Sequence, residues 1–563
     1  MSRKTNAERN FRTHHPLIPR RLRRLGGVLP AATGLLLTAA PHAAHAFQLY
    51  NGSASGNDLE INLNITTSYS ALYRVSHPSA YLVSDTYNQN GNDGDANFRH
   101  GLVGNTFEAL PVLDIKDGQF GMHFSGEYFI NTMYLGTNQN NQPTVNPFVA
   151  KNTDFASETR QANGNNGRLL DAFVYDSWVF GGGQQITLKA GQQTLFWGQS
   201  LFYGTNGISG GQAPIDAVAA STLVNPQTQQ IYLPVGQIVA TYKPNQTYTI
   251  QGYYQYQWEQ YALNGVGSYF STTDVLGPGG QRLYIPGGYL TNTKAITPRS
   301  QNGQFGLSVQ AQYGDYDLGI FGLRYDAKVP TVQTIINVSS TGLNGSYYAI
   351  YPRDIWIVGA SGSTTIGATN VASELSVHTH APLDGAPNPV TTINGSAPTG
   401  LGDANGNPAY PVGNWSTALL SGIYGSPALS YDPGGITFIG EAEWVQLLGA
   451  TRHKNLLVPS RSAGAVAFDA EAIPAYFGVL PNLELTFPIS ISYNVLGNSE
   501  VDGSMNHGTG SYSLGISATY RATWTASLSY VGYYGSIPKT MDTASTQPNA
   551  DRDYINFNVQ HTF

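Results

Sequence analysis

Apolar and polar residues alternate along much of this chain, and the final residues show the pattern most simply. From position 555 onward the odd positions are apolar except for His561, while the even positions are polar. A two-residue period places neighbouring side chains on opposite faces of a strand, so a strand with one apolar face is predicted here. The odd positions are Ile555, Phe557, Val559, His561 and Phe563, and the even ones are Asn556, Asn558, Gln560 and Thr562.

The same alternation recurs along the chain. It is longest from Leu59 to Val75, where mostly apolar odd positions face mostly polar even ones, and it is clear again from Thr247 to Glu259. Counting every such segment predicts eighteen strands, with sixteen as the alternative count. The predicted strands are 59–75, 99–115, 120–128, 169–180, 184–193, 237–245, 247–259, 305–313, 316–327, 354–362, 366–378, 414–425, 436–444, 466–477, 485–495, 511–521, 526–534 and 555–563.

Short and long connections alternate between these strands, and this predicts the fold class. Short turns at every second connection with long loops between them are typical of outer-membrane barrels, in which the turns are periplasmic and the loops extracellular. The sequence therefore predicts an all-β, transmembrane antiparallel β-barrel. The predicted turns are 116–118, 181–183, 243–245, 314–315, 363–365, 428–434, 478–482 and 522–523, and the predicted loops are 76–98, 132–168, 194–236, 260–302, 328–353, 379–413, 448–465, 498–510 and 535–552.

The chain ends on Phe563 without a tail. An apolar last strand that ends in Phe resembles the insertion signal of Gram-negative outer-membrane barrels. The resemblance implies that the barrel-assembly machinery is a partner through this strand and that outer-membrane lipids surround the folded protein.

The amino terminus predicts export. Eight Lys and Arg residues precede an apolar run from Val28 to Ala40, and Ala44-His45-Ala46 follows as a small-x-small cleavage pattern. We interpret residues 1–46 as a signal peptide cleaved near Ala46 and residues 47–563 as the barrel, located in the outer membrane. The apolar run is too short for the alternative, a retained membrane helix.

Charge and composition exclude several partners. Removing residues 1–46 leaves 20 basic and 34 acidic residues, so the mature chain carries about −14 and nucleic acid is not an expected partner. Cys is absent, which removes disulfides and thiolate metal sites. No cofactor or metal is expected. Beyond the signal peptide no segment has eighteen uninterrupted apolar residues, which leaves a closed barrel as the way to cross lipid.

The connection from Thr194 to Gly236 is the first candidate site. It is long and moderately apolar, which suits a segment folded into the lumen better than one in solvent. We predict that it narrows the pore; an ordinary external loop is the alternative. The candidate constriction residues are Phe196, Trp197, Gln199, Asn206 and Asp216.

Charged residues on the polar side of the strands form a second candidate site. Mixed charges on an inner wall set a transverse field that orients a polar solute, whereas in the simpler interpretation they only solvate the wall. The predicted lumen-lining residues are Arg74, Glu127, Lys189, Glu259, Glu441, Glu443 and Arg521.

Two other patterns have residue types found in functional sites. Asp85 to Asp95 resembles a calcium loop in composition, but Asp93 occupies the position of the required Gly, so a flexible Asn-rich loop is favoured. His123 and Ser125 face inward on one strand, but side chains at i and i+2 lie about 7 Å apart and no oxyanion donor is evident. No enzymatic activity is predicted.

Several phrases in order resemble one family of outer-membrane barrels, the domain of unknown function 1302. Two positions depart from the family pattern: Gln199 stands where Glu commonly follows Trp-Gly, and Ala213-Pro214-Ile215-Asp216 replaces Asn-Pro-x-Asp. The matching phrases are Leu188–Gln193 leading into Phe196–Gly198, then Asn206–Ile208, Tyr269–Thr272 with Asp274, Tyr351–Ile355 and Trp524–Tyr530.

The resemblance implies transport of lipids or other hydrophobic compounds, with a periplasmic carrier protein and an inner-membrane exporter as partners. The function predicted from the sequence is an outer-membrane channel or transport component that passes a small hydrophobic or amphipathic solute or lipid. The alternative is a surface adhesin or structural barrel with an occluded lumen. A TonB-coupled receptor is disfavoured because only about a dozen residues separate Ala46 from the first strand, too few for a plug domain.

Overall fold

In the computed structural model, the chain forms a closed antiparallel barrel of eighteen wall strands, which confirms the predicted fold class and strand number. The structure describes residues 47–52, 56–295, 297–298, 303–339, 342–385, 390–393, 408–428, 434–539 and 544–563. The predicted signal peptide, residues 1–46, lies outside the described residues. In chain order the strands are β1 (Phe47–Asn51), β2 (Leu59–Arg74), β3 (Gly101–Asp117), β4 (Phe120–Asn131), β5 (Asn165–Val179), β6 (Gln185–Gln193), β7 (Val235–Lys243), β8 (Tyr248–Gln255), β9 (Arg282–Ile285), β10 (Gly288–Asn292), β11 (Gln304–Tyr313), β12 (Tyr316–Tyr325), β13 (Thr331–Ser339), β14 (Gly342–Ile350), β15 (Ile355–Ile366), β16 (Thr369–Pro382), β17 (Val390–Ile393), β18 (Val412–Gly425), β19 (Ile436–Arg452), β20 (Gly464–Leu480), β21 (Leu483–Thr486), β22 (Ile489–Leu496), β23 (Gly510–Tyr520), β24 (Trp524–Tyr534) and β25 (Tyr554–Thr562).

The last strand closes the barrel against the first wall strand. β25 pairs with β2 from Thr562 opposite Thr66 to Tyr554 opposite Arg74, and β1 continues this edge along the start of β2. β21 and β22 act as one wall strand because both lie between β20 and β23. Closure leaves no unpaired edge in lipid, where an unpaired backbone amide is costly.

Burial follows the two-residue period predicted for the last strand. Ile555 and Phe557 are exposed on the outer surface, whereas Asn556 and Asn558 are buried on the inner one. The apolar face is therefore the face for lipid, and polar side chains fill the interior.

Several predicted boundaries were wrong; the strand expected at 436–444, for example, runs on to Arg452. The turn expected at 363–365 lies instead between Ile366 and Thr369, because the alternation in β15 runs on to an exposed Ile366. The strand expected at 247–259 ends at Gln255, and Trp258, which a continued alternation would place on the apolar face, is buried against the ring of Tyr351.

The long loops contain structure that the alternation did not predict. β9, β10, β13, β14 and β17 form a separate five-stranded sheet within segments that we expected to be irregular connections. The helices are short: α1 (Asp93–Asn97), α2 (Ser157–Thr159), α3 (Ala217–Thr222) and α4 (Thr228–Ile231). Within the described part of the chain, no helix has the length and apolar character needed to cross a membrane.

We expect charge on the outer wall to destabilise the barrel according to its depth. Leu528 is exposed at the middle of β24, so Leu528→Arg should cost about 2–4 kcal/mol of unfolding free energy. Tyr520→Arg, at the end of β23, serves as the matched control and should cost about 0–1 kcal/mol. Urea titration of protein refolded in lipid vesicles measures both. Equal losses for the two variants would contradict the assignment of this face to lipid.

Candidate functional site

The connection between β6 and β7, residues 194–234, crosses the inside of the barrel; we call it the lumen segment. Near its start, Trp197 and Ile208 pack with Phe321 on β12 and Ile357 on β15. Leu201 and Phe202 pack instead with Ile439 and Ile473 on β19 and β20. The segment therefore contacts widely separated parts of the inner wall.

Glu441, which points inward from β19, holds the lumen segment by its backbone. Its carboxylate accepts hydrogen bonds from the amides of Leu201 (3.0 Å) and Tyr203 (2.9 Å), from the amide of Phe202 and from the Ser200 hydroxyl (3.2 Å). Four donors converge on one carboxylate that is 3% exposed. Hydrogen bonds to a charged acceptor are the stronger kind, so this carboxylate is a principal anchor of the segment.

Glu374 on β16 makes a second anchor of the same type. Its carboxylate accepts the amides of Gln199 (2.8 Å) and Ile208. Gly198 and Gly207 flank it so closely that a Cβ at either position would lie 2.0 or 2.4 Å from a carboxylate oxygen. Glycine at both positions is therefore required for this close approach.

The other end of the lumen segment is anchored by charge. Asp216 pairs with Arg168 on β5, and Arg168 also bonds Glu127 on β4 through its Nε atom (2.6 Å). Asp216 caps α3 as well, accepting the amide of Ala219 at 2.7 Å. One Arg therefore joins two wall strands to the segment.

The remaining predicted constriction residues also lie in this segment and make contacts. Phe196 packs edge-on against Tyr232 (4.5 Å between ring centroids), and Trp197 donates its indole N–H to Gln251 on β8 at 2.7 Å. Asn206 donates to Asp502 at 2.9 Å. Whether these residues limit the passage of a solute stays a prediction.

The predicted lumen-lining residues divide into two groups. Glu127, Glu441 and Glu443 are buried on the inner wall, and the Lys189 ammonium lies 4.1 Å from the centre of the Phe173 ring on the neighbouring strand. The predictions for the other three residues need correction. For two of them the strand ends earlier than the alternation predicted, and the third is covered by extracellular loops.

Arg521, Glu259 and Arg74 do not line an inner wall. Arg521 lies exposed in the turn between β23 and β24, with φ of 52°, because the chain reverses directly after Tyr520. Glu259 lies beyond the end of β8, in the following connection. Arg74 is fully buried beneath the extracellular loops.

Arg74 belongs to a buried ionic cluster that ties the loops to the barrel mouth. Asp95 in α1 pairs with Arg74 (2.9 Å) and with Arg552 (2.8 Å). Burial alone would raise the pKa of Asp95, but the guanidinium groups of Arg552 and Arg74 hold that pKa below its usual value. Asp551 lies 3.1 Å from Arg74 as a second carboxylate.

Asp93 and Asp274 form a neighbouring pair of buried carboxyl groups. The Asp93 amide donates to Asp274 at 3.0 Å, and the Asp93 carboxylate accepts the amide of Asn146. Burial raises the pKa of Asp93 to about 7, with a further contribution from Asp85. Protonated Asp93 therefore stabilises the folded loops, a contribution fully present below pH 3.8 and lost as pH rises towards about 7.

Replacing Asp93 with Asn should reduce this pH dependence. We expect the loops of the unmodified protein to be cleaved by thermolysin faster at pH 8 than at pH 5.5, and the Asp93→Asn variant to show a smaller difference. Glu158→Gln, an exposed loop carboxylate, is the control. An unchanged difference in Asp93→Asn would contradict the assignment.

The acidic loop from Asp85 to Asp95 and the pair of His123 and Ser125 are the remaining candidates from the sequence. Among the described residues, no three His, Cys, Asp or Glu side chains are grouped so as to hold a metal ion. Ser125 donates its hydroxyl to Asp171 at 3.1 Å rather than to His123, whose Nδ1 lies 2.7 Å from Asp114.

Two cavities lie between the lumen segment and the extracellular connections. The first, about 600 Å³, includes Arg168, Asp216 and Glu259 in its lining together with Tyr347 and Tyr351. The second, about 550 Å³, includes Asp384 and Asp502 in its lining together with Tyr410 and Trp415. Both fall in the size range of sites for small molecules.

Several residues that hold the lumen segment or line a cavity were not predicted from the sequence. Glu374 occupies the polar side of β16 together with Ser376 and His378, so parity counting offered a signal for it. Lys328, Asp384 and Asp502 lie in loops, where no period exists to show which way a side chain points.

A closed antiparallel barrel with short turns at one end and long loops at the other defines an outer-membrane-type barrel. The family model described as "Protein of unknown function (DUF1302)" matches residues 28–563, and the chain belongs to this family. The resemblance found in the sequence is thus confirmed.

The solved structures to which this chain is similar are distant from it in sequence. OccAB1 of Acinetobacter baumannii is 9% identical over 92% of this chain and 98% of that chain, with a TM-score of 0.41. A BenF-like porin from Pseudomonas fluorescens Pf-5 is 10% identical over 90% and 98%, with a TM-score of 0.40. OccD3 of Pseudomonas aeruginosa is 10% identical over 94% and 95%, with a TM-score of 0.40. The search of curated proteins found no match.

Proposed function

We propose that this protein is an outer-membrane channel for a small hydrophobic or amphipathic solute or lipid, and that the lumen segment controls passage. The observation that carries the proposal is the attachment of this segment to opposite parts of the inner wall through Glu441, Glu374 and Arg168. These anchors are polar contacts between a long connection and the barrel wall. Rearrangement of these anchors would move the lumen segment away from the wall and open the interior of the barrel to a solute.

The proposal extends to partners by family resemblance. A periplasmic carrier and an inner-membrane exporter would deliver or remove the solute at the periplasmic end, where the turns are short. The barrel-assembly machinery would insert the chain through the strand that ends at Phe563. No catalytic step is included.

Bilayer conductance tests the channel proposal. Mature protein, residues 47–563, is refolded and inserted in a planar bilayer, and the same is done with residues 199–225 deleted. We expect rare or small conductance in the intact protein and a severalfold larger conductance after the deletion. Resistance of the folded band to cold detergent shows that each protein is folded.

The second candidate function, a surface adhesin or structural barrel, is favoured by the close packing of the lumen segment. Ile208, Ile215 and Ala217, for example, are fully buried. That function predicts that the folded deletion variant stays silent as well. Silence of both folded proteins would therefore overturn the channel proposal.

A further inference from the structure

The second cavity, on the extracellular side of the lumen segment, has mostly apolar and aromatic walls. Residues of the lumen segment, of the upper ends of the wall strands and of four extracellular connections contribute to it. Such walls suit the apolar body of a solute, and aromatic faces also attract cations. The aromatic side chains in the lining are Tyr261, Tyr325, Tyr410 and Trp415.

Two carboxylates lie close together on the polar side of this cavity. Asp384 and Asp502 both line it, and Arg461 pairs with Asp384 at 2.7 Å. Burial raises the pKa of Asp384, and repulsion from Asp502 adds to the effect although Arg461 opposes it. Arg461 pairs with Asp384 alone, and Asp502 lies close enough to repel that carboxylate, so a further cation would relieve the repulsion.

Lys328 supplies little opposing charge. It is 3% exposed and donates its ammonium to the carbonyl of Gly211 at 2.8 Å. Burial lowers its pKa to about 7, so a substantial fraction is neutral near physiological pH. Its ammonium is held by the lumen segment and belongs to that contact.

The inner wall of the barrel, like this cavity, contains several carboxylates. In the barrel strands that the structure describes, seven carboxylates are buried on the inner side, whereas the inward cations Arg168 and Lys189 are partly exposed. A wall of this charge attracts cations and repels anions along the lumen. The carboxylates are Glu127, Asp171, Glu374, Glu441, Glu443, Asp469 and Glu471.

We infer that this cavity binds a positively charged amphipathic solute, an ammonium group on an apolar body. Asp384 and Asp502 take the ammonium, and Tyr325, Tyr410 and Trp415 contact the apolar part. The inference rests on the proposed function, because it identifies the class of solute that the channel would pass. It sets the preferred charge of that solute as positive.

Calorimetric titration with three probes of equal chain length tests the site. Hexylammonium chloride, 1-hexanol and sodium hexanoate are each titrated at pH 7.5 into the refolded mature protein. We expect hexylammonium to bind at least about tenfold more tightly than hexanol, and hexanoate to bind most weakly. Asp384→Asn and Asp502→Asn should each weaken hexylammonium binding about tenfold, while hexanol binding stays unchanged.

Glu158→Gln is the matched control, since it removes one exposed carboxylate on the same side of the protein. Two single variants are used, so that the site can still be tested if one of them fails to fold. The inference is overturned if hexanol binds as tightly as hexylammonium, if hexanoate binds most tightly, or if both Asn variants bind like the control. If hexylammonium binds as expected but no protein conducts, the channel proposal fails while the binding site stands. If the protein conducts but does not bind hexylammonium, the binding site fails while the channel proposal stands.

Discussion

Replacing Glu441 with Gln is expected to increase the frequency of channel opening in a planar bilayer by a factor of about 5–30. In the folded protein the Glu441 carboxylate accepts three backbone amides and one hydroxyl of the lumen segment. Gln replaces the charged acceptor with a neutral one and directs an NH2 group at backbone donors. Losing the charge should weaken the attachment by about 1–2 kcal/mol, which favours states in which the segment has left the wall.

The design of this experiment separates attachment from wall charge. Glu484→Gln removes a half-buried wall carboxylate on β21, next to the periplasmic turn, and should leave the opening frequency unchanged. The double variant Glu374→Gln and Glu441→Gln should open more often than either single variant, because both anchors act on the same segment. If Glu441→Gln opens as rarely as the unmodified protein, or if Glu484→Gln opens equally often, the lumen segment is not held as described.

Replacing Asp95 with Asn is expected to lower the free energy of unfolding by about 3–5 kcal/mol. Asp95 is fully buried between Arg74 and Arg552, which are themselves fully or almost fully buried. Removing one partner of a buried ion pair leaves uncompensated charge, and here two guanidinium groups would share Asp551 alone. Because these residues come from β2, α1 and the connection just before the last strand, the loss should reach the closure of the barrel.

Urea titration followed by the mobility of the folded band measures this loss. Glu158→Gln is again the control and should change the free energy of unfolding by less than about 0.5 kcal/mol, as expected for a surface position. A drop of similar size in both variants would indicate that the Asp95 cluster has no special role. Because the pKa of Asp95 is lowered in the folded state, its contribution should persist down to its usual pKa of 3.8 and disappear only in stronger acid.

The fold of this protein could be predicted largely from alternation and connection length. In a barrel each wall residue meets either lipid or the interior, so period and turn spacing carry nearly all the information on strand number and orientation. The errors occurred where that rule weakens. The strand at 247 ends early because Trp258 turns inward to pack on Tyr351, and the five-stranded sheet lies in loops, outside the two-solvent environment.

The candidate site could be predicted only in part. Length and apolar content indicated that the connection from Thr194 to Gly236 is unusual, and parity placed Glu441 on the inner side. Neither pattern could show that the Glu441 carboxylate binds the backbone of that connection, about 240 positions away in the chain. Backbone amides look alike in any sequence, so a site built from them leaves no residue signature.

Local periodicity and composition were enough to predict eighteen strands, the lipid-facing side of most of them and the acidic balance of the mature chain. Tertiary structure decided which of many similar inward carboxylates hold the lumen segment and which face a cavity. It also brought Lys328, Asp384 and Asp502 to one cavity from three different loops. Such contacts depend on how a closed barrel positions distant loops over one another, and local sequence carries no record of that geometry.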